Sequence, residues 1–231
     1  MNRHANVVML EQVASHLGTL LDEVVFVGGA VTSLLITDPA ATEVRFTQDV
    51  DMIVQVTSHA DYYQLEKRLR LLGFVPDQSQ DAPLCRWLID GIQVDVMPTD
   101  ESILGFSNRW YPLAIKTAQV YSLNTQLKIR LITPPCFVAT KVEAFLKRGS
   151  GDYWASSDLE DIIMLVDGRS EIVAEIQATD PKLKEYLTKQ IHHWLQDKAF
   201  KEALAEYFAF EETNQQRVPI IKQRLMQCLE N

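Results

Sequence analysis

The chain has 231 residues, of which 22 are lysine or arginine and 31 are aspartate or glutamate, giving a formal net charge of −9 at pH 7. A hydrophobic fraction of 47% and a charged fraction of 23% are typical of a globular protein and exclude wholesale disorder. The acidic surplus argues against a protein that coats nucleic acid, because such proteins are basic. It is compatible with an enzyme that has a local acidic metal site.

Targeting segments and cysteine frameworks are not evident in the sequence. No apolar run approaches the roughly 18 residues of a membrane helix, and the first residues lack the apolar core of a signal peptide. Cys85, Cys136 and Cys228 are far apart and form no CxxC pair, which argues against a zinc ribbon or a disulfide framework. We therefore expect a soluble, cytoplasmic protein with reduced thiols and no membrane partner.

The predicted elements alternate between helices and strands in the first half of the chain. Apolar residues at helical spacing predict a helix over 7–22, and a β-branched run predicts a strand over 24–27 that ends at Gly28 and Gly29. The same reasoning predicts helices over 30–36 and 60–72, a strand over 50–56, and strand pairs over 84–89 with 92–97 and over 120–123 with 127–132. Asp90 and Gly91 are the residues that a tight hairpin turn requires.

The character of the sequence changes at Pro134 and Pro135, because a proline pair interrupts regular structure. Almost everything beyond them fits helices, which the pattern predicts over 136–148, 156–167, 170–177, 181–196, 198–209 and 214–229. We therefore predict an α+β protein. An α/β-type domain with a mixed sheet would span residues 1–133, and an all-helical domain would span 134–231.

The most informative segment is VFVGGAVTSLL followed by TQDVDMIV. A strand ends in Gly28 and Gly29, a helix follows, and the next strand carries Asp49 and Asp51. Because side chains alternate along a strand, both carboxylates point to the same face. Two neighbouring acids repel each other unless a cation lies between them, so a divalent metal is the natural partner. The glycines let a backbone approach a phosphate at a helix N-terminus.

A third carboxylate, Asp95, lies in the strand segment GIQVDVMPTD. If that strand lies beside the one with Asp49 and Asp51, three carboxylates converge, which is enough to hold two Mg²⁺ ions for phosphoryl or nucleotidyl transfer. Ordinary explanations stay open, because a glycine pair alone is usually a turn and a D-x-D pair alone is often a solvated strand face. The combination of strand, glycine pair, helix and D-x-D strand favours the functional interpretation.

The helical half carries polar residues beside its apolar stripes. Lys141 shares a helical face with Phe137 and Phe145, so its ammonium either reaches water along the surface or contacts a nucleotide phosphate. Asp158 and Asp161 are three apart on one helical face, and Asp158 alone could be a first-turn acid favoured by the helix dipole. From the pattern alone, both interpretations stay open.

Together these motifs resemble the nucleotidyltransferase superfamily of the DNA polymerase β type. The Lys141 helix and the following DYWASSDLEDIIMLVDGR resemble its AbiEii/MenT group of abortive-infection and toxin–antitoxin enzymes, and the resemblance runs from about residue 24 to residue 169. It implies the catalytic residues Asp49, Asp51, Asp95, Lys141 and Asp161. It implies a metal site of Asp49, Asp51 and Asp95, and a nucleotide site of Gly28, Gly29, Thr32, Ser33, Lys141 and Asp158.

The resulting hypothesis is an enzyme, a nucleotidyltransferase dependent on Mg²⁺ or Mn²⁺ that moves NMP from an NTP to an acceptor hydroxyl. Asp95 would hold the catalytic metal and accept the attacking proton, and the helical domain would close the nucleotide site. The resemblance implies RNA, particularly a tRNA 3′ end, as the acceptor, and a toxin with a cognate antitoxin as the biological setting. Two alternatives stay open: a nucleotidylyltransferase acting on a small molecule or a protein, and a non-catalytic module that binds a nucleotide or a partner.

Overall fold

The protein is described by a computed structural model that covers residues 5–41, 44–148, 152–208 and 216–230. The described residues form two compact units, one within Met1–Ser33 and Arg45–Thr133 and the other within Leu34–Val44 and Pro134–Asn231. The first contains a mixed sheet with flanking helices, and the second is helical. This content confirms the predicted α+β class. In the described ranges, no helix has the length and apolar character needed to cross a membrane.

The strands of the first unit form one seven-stranded sheet within the described residues, in the order β3-β4-β5-β2-β1-β7-β6. The sheet is mixed, because β2 runs parallel to β5 and β1 parallel to β7, whereas the other neighbours are antiparallel. The elements up to residue 133 are α1 (Ala5–His16), β1 (Val24–Val27), α2 (Thr32–Leu35), β2 (Asp49–Val54), α3 (His59–Leu71), β3 (Val75–Pro76), β4 (Arg86–Ile89), β5 (Ile92–Pro98), α4 (Glu101–Leu104), α5 (Tyr111–Thr117), β6 (Gln119–Ser122) and β7 (Lys128–Leu131).

Local sequence explains most of these elements. The predicted hairpin between β4 and β5 is present, and Asp90 and Gly91 both have the positive φ that its two-residue turn requires. α3 begins after Ser58, whose hydroxyl accepts the backbone N–H of Asp61 and so caps the helix. The sequence analysis missed β3, α4 and α5. These elements have two, four and seven residues, which is too short to display a hydrophobic period.

The second unit contains the helices α6 (Pro134–Arg148), α7 (Ser157–Gly168), α8 (Ile172–Ala178), α9 (Pro181–Gln196), α10 (Lys198–Glu206) and α11 (Arg217–Gln227). They agree with the predicted helices to within a few residues, and the predicted helical residues 209, 214 and 215 lie outside the described ranges. A cluster of aromatic rings forms part of the core, with centroids 5.4–6.3 Å apart among Phe145, Tyr153, Trp194 and Phe200.

The segment 34–44 belongs to the helical unit because it binds the end of α7. The backbone N–H groups of Thr37 and Asp38 both donate to the carbonyl oxygen of Gly168, each at 2.9 Å. Arg217 joins the same region from α11, binding Asp38 at 2.8 Å and the fully buried Asp167 at 2.6 Å. These contacts satisfy carbonyls and charges at a helix C-terminus that would otherwise be left without partners.

Candidate functional site

β2 presents two carboxylates on one face of the sheet. Val50 and Met52 are fully buried, whereas Asp49 and Asp51, which alternate with them, are partly exposed. This alternation is the one expected for a strand with one buried face. The parallel neighbour β5 pairs Asp51 directly with Asp95. The structure therefore brings together on adjacent strands the three carboxylates that the sequence analysis selected.

Gly28 brings the backbone of the loop after β1 against this face. Its φ is +74°, and a Cβ atom at this position would lie 1.8 Å from the Oδ2 atom of Asp51. Only glycine both adopts this conformation without strain and leaves room for the carboxylate. The antiparallel pairing of Val27 with Asp51 sets this approach. Gly29 follows in a short 3₁₀ turn that runs to residue 31 and leads into α2.

Arg86 bridges two of the carboxylates and was not identified from the sequence. Its Nε and Nη2 atoms bind Oδ1 and Oδ2 of Asp95, each at 2.8 Å, and Nη2 also binds Oδ2 of Asp49 at 3.2 Å. The hydrogen bond with Asp95 raises the pKa of Arg86 above its ordinary value, so the guanidinium is charged. The one sequence signal is a lone cation inside the apolar run LCRWLI.

Thr47 also contacts the site and was missed. Its hydroxyl donates to Oδ1 of Asp49 at 2.8 Å. Its backbone N–H donates to Oδ1 of Asn6, a fully buried side chain of α1 that also binds the carbonyl oxygen of Arg45. The first helix thus holds the segment before β2 in place, and this segment orients one of the carboxylates.

The hydroxyls proposed for phosphate binding lie on α2. Within the described part of the chain, the hydroxyl oxygens of Thr32 and Ser33 are buried and have no hydrogen-bond partner. Buried hydroxyls normally have a partner, so these two have unused hydrogen-bonding capacity. The Thr32 side chain is completely buried, so contact with a ligand requires a local movement of this turn.

Cys85 lies next to Arg86 but is unsuited to nucleophilic chemistry. Burial raises the pKa of its thiol to about 12, and the charges of Asp95 and Asp51 act in the same direction. The thiolate is the reactive form of cysteine and is absent at neutral pH when the pKa is this high. The chemistry of this face therefore depends on its carboxylates.

Lys141, Asp158 and Asp161 form a separate buried ion cluster in the helical unit. The Nζ atom of Lys141 on α6 lies 3.0 Å from Asp158 and 2.6 Å from Asp161, both on α7. The side chain of Asp161 is 1% exposed, and those of Lys141 and Asp158 are each 10% exposed. Lys141 does not extend into water as an isolated cation, since two carboxylates surround its ammonium. The predicted role of all three in nucleotide binding stays a prediction.

The carboxylates of β2 and β5 have the chemistry of a divalent-cation site, because Mg²⁺ prefers carboxylate oxygens. The guanidinium of Arg86 already occupies a cationic position between Asp49 and Asp95. As the side chains stand, no group of three His, Cys, Asp or Glu residues in the described ranges is arranged to hold a metal ion. The carboxylate oxygens are the right chemical type for a divalent cation, but their present arrangement would have to change before they could ligate one. Asp49, Asp51 and Asp95 are the residues that could hold it.

Comparison with known proteins yields structural similarity only. No family model matches the chain, and no curated protein sequence matches it. The antibiotic-resistance factor ANT(2'')-Ia is similar over 81% of this chain and 96% of its own, with 13% identity and a TM-score of 0.49. JHP933 from Helicobacter pylori is similar over 98% of this chain and 93% of its own, with 10% identity and a TM-score of 0.49. At this level of similarity neither match indicates an activity.

Proposed function

We propose that this protein is a nucleotidyltransferase that uses a divalent metal ion. The observation that carries the proposal is the pairing of Asp51 with Asp95 on adjacent parallel strands, with Asp49 on the same face. The carboxylates repel one another, and the guanidinium of Arg86 contacts two of them, so a divalent cation would further stabilise this face. The close approach of Gly28 to Asp51 supports it, because a residue without a side chain lets the backbone come close to the acidic face and to a phosphate bound there.

In the proposed reaction, the oxygen of an acceptor hydroxyl forms a bond to the α-phosphorus of an NTP. The bond between that phosphorus and the bridging oxygen of the β-phosphate breaks, and pyrophosphate leaves. Asp49, Asp51 and Asp95 would hold Mg²⁺ or Mn²⁺, which would supply the charge that stabilises the triphosphate and the developing negative oxygen. A carboxylate of this face accepts the proton of the hydroxyl, and Thr47 keeps Asp49 oriented.

We propose RNA, in particular a tRNA 3′ end, as the acceptor and a toxin role with a cognate antitoxin as the setting. Both are supported by the sequence resemblance to AbiEii/MenT enzymes. In this proposal Lys141 contacts the nucleotide phosphates, and Asp158 and Asp161 hold its ammonium in position. Expression of the wild-type chain should then arrest growth of the host cell, and expression of Asp51→Asn should not.

The experiment is label transfer from each of the four α-³²P-labelled NTPs to total tRNA in Mg²⁺ or Mn²⁺. We expect transfer by the wild type and a loss of about a hundredfold or more in Asp51→Asn and Asp95→Asn, since several kcal/mol of charge stabilisation would be removed. Asp81→Asn, in an exposed turn, is the matched control and should retain the wild-type rate.

Two results would contradict the proposal in different ways. If the label moves to a small molecule such as an aminoglycoside or to a protein hydroxyl, the chemistry stands and the RNA acceptor is wrong. A folded wild-type protein that transfers no label from any NTP to any acceptor would not be a nucleotidyltransferase. If it nevertheless binds NTP, and Asp51→Asn binds NTP with the same affinity, the protein is a non-catalytic nucleotide-binding module.

A further inference from the structure

Arg86 lies within the acidic face of Asp49, Asp51 and Asp95, and the pairing of the strands sets its place there. β4 pairs antiparallel with β5, and the register sets Arg86 directly opposite Asp95. The guanidinium then extends far enough across the sheet to contact Asp49 on β2, two strands away. Its side chain is 19% exposed, so it lies largely within the acidic face.

The guanidinium binds the same oxygen atoms that a metal ion would use. Both oxygens of Asp95 and the Oδ2 atom of Asp49 accept its N–H groups, and the Oδ1 atom of Asp49 accepts the hydroxyl of Thr47. A divalent cation that ligates Asp49 and Asp95 would lie within a few ångströms of the arginine charge. At that distance two cations repel each other strongly in a partly buried site.

We propose that Arg86 is an internal counter-ion that competes with the divalent metal for Asp49 and Asp95. In the metal-free protein it offsets part of the negative charge of the acidic face, and it releases these two carboxylates when the metal binds. The inference rests on the proposed function, because it concerns loading of the same metal site.

If Arg86 competes with the metal, its removal should raise the metal affinity and lower the stability of the metal-free protein. Without Arg86, the metal no longer has to displace a bound cation, so its affinity rises. Without Arg86 and without metal, the like charges of the carboxylates face one another, so the metal-free protein becomes less stable. A residue that merely supports the fold, or one that preorganises the metal ligands, would not raise the affinity when removed.

The test is Mn²⁺ binding, measured by calorimetry and by electron paramagnetic resonance, together with thermal unfolding with and without Mn²⁺. The variants are Arg86→Gln and Arg86→Lys, and the latter keeps a charge but loses the two-pronged contact. Arg68→Gln is the matched control, because Arg68 makes an equivalent paired contact with Glu23 at 2.6 and 2.8 Å in the same unit. None of these readouts depends on enzymatic activity.

We expect the Mn²⁺ dissociation constant to fall by about tenfold or more in Arg86→Gln and by less in Arg86→Lys. The stabilisation by Mn²⁺ should be larger in Arg86→Gln than in the wild type, whereas Arg68→Gln should bind Mn²⁺ like the wild type. If Arg86→Gln folds only when Mn²⁺ is present, the proposal is supported. If it folds under neither condition, Arg86→Lys decides, and its Mn²⁺ affinity must exceed that of the wild type.

Other outcomes overturn the inference. An unchanged Mn²⁺ dissociation constant in both Arg86 variants would show that Arg86 does not compete with the metal. A larger dissociation constant would show that Arg86 orders the metal ligands instead. Both results leave the proposed metal site intact. If neither the wild type nor any Arg86 variant binds Mn²⁺, the metal site itself is wrong, and both the inference and the proposed function fail.

Discussion

At the residue scale, the absence of a Cβ atom at Gly28 makes room for the carboxylate of Asp51. The backbone at Gly28 approaches Asp51 so closely that a single methyl group would overlap the carboxylate. The two residues are far apart in the sequence, and the pairing of β1 with β2 brings them together. The glycine therefore serves the geometry of the site as well as the turn.

Gly28→Ala should destabilise the protein more than Gly91→Ala. Both positions have positive φ, +74° and +80°, so alanine is strained at each by about 1 kcal/mol. Only the alanine at position 28 meets a neighbour, because nothing lies within 4 Å at Gly91. We expect about 1–3 kcal/mol of additional loss in urea unfolding for Gly28→Ala, together with loss of Mn²⁺ binding. Equal losses for the two variants would show that the contact with Asp51 is unimportant.

At the element scale, α6 and α7 are joined by a buried ion cluster with one cation and two anions. Lys141 contacts both Asp158 and Asp161, and all three side chains are at least nine-tenths buried. A buried carboxylate without its partner is costly, because the protein interior solvates charge poorly. The cluster therefore ties the two helices together, whatever role Lys141 has toward a nucleotide.

Lys141→Met should lower the free energy of unfolding by about 3 kcal/mol, because it leaves two buried carboxylates without their cation. The triple variant Lys141→Met, Asp158→Asn, Asp161→Asn should recover much of this loss. Lys147→Met on the same helix is the control, since Lys147 is exposed and lies 3.9 Å from Glu143, and it should change stability by about 0.5 kcal/mol or less. If Lys141→Met lowers the free energy of unfolding no more than Lys147→Met does, the cluster does not stabilise the protein.

At the scale of the whole molecule, the net charge of −9 limits how nucleic acid can bind. Extensive contact with a phosphate backbone needs a basic surface, and each contact adds to the salt dependence of binding. The acidic balance is consistent with a short, local contact such as the end of one RNA strand. The carboxylates of β2 and β5 account for only three of the 31 acids, so metal binding alone does not reverse this balance.

Binding of tRNA, measured as a function of salt in the presence of Mg²⁺, should therefore have a shallow slope. A single-stranded contact contributes about −0.7 per phosphate to the slope of log affinity against log salt, so we expect a total magnitude below about 2. The same titration with Lys116→Gln, an exposed lysine of α5, serves as a control for diffuse attraction. A slope that corresponds to many phosphate contacts would contradict the local-contact prediction.

The sequence by itself determined the elements that have a clear period. The helices from α6 to α9, the D-x-D strand and the Asp90–Gly91 hairpin were predicted from spacing alone, because apolar periodicity and turn chemistry are local properties. The same alternation predicted that Asp49 and Asp51 share a face, and the burial of Val50 and Met52 agrees with it. The roles of these residues and the domain division at residue 133 stay predictions.

Only the tertiary structure decided which distant residues meet. The register of β4 with β5 sets Arg86 opposite Asp95, the packing of α1 orients Thr47, and the end of α7 draws the segment 34–44 into the helical unit. Local spacing contains no information about such pairings, because they depend on strand order and on contacts between residues far apart in the chain. The position of a cation within the acidic face therefore emerged from the fold, whereas the acids themselves could be identified from their spacing.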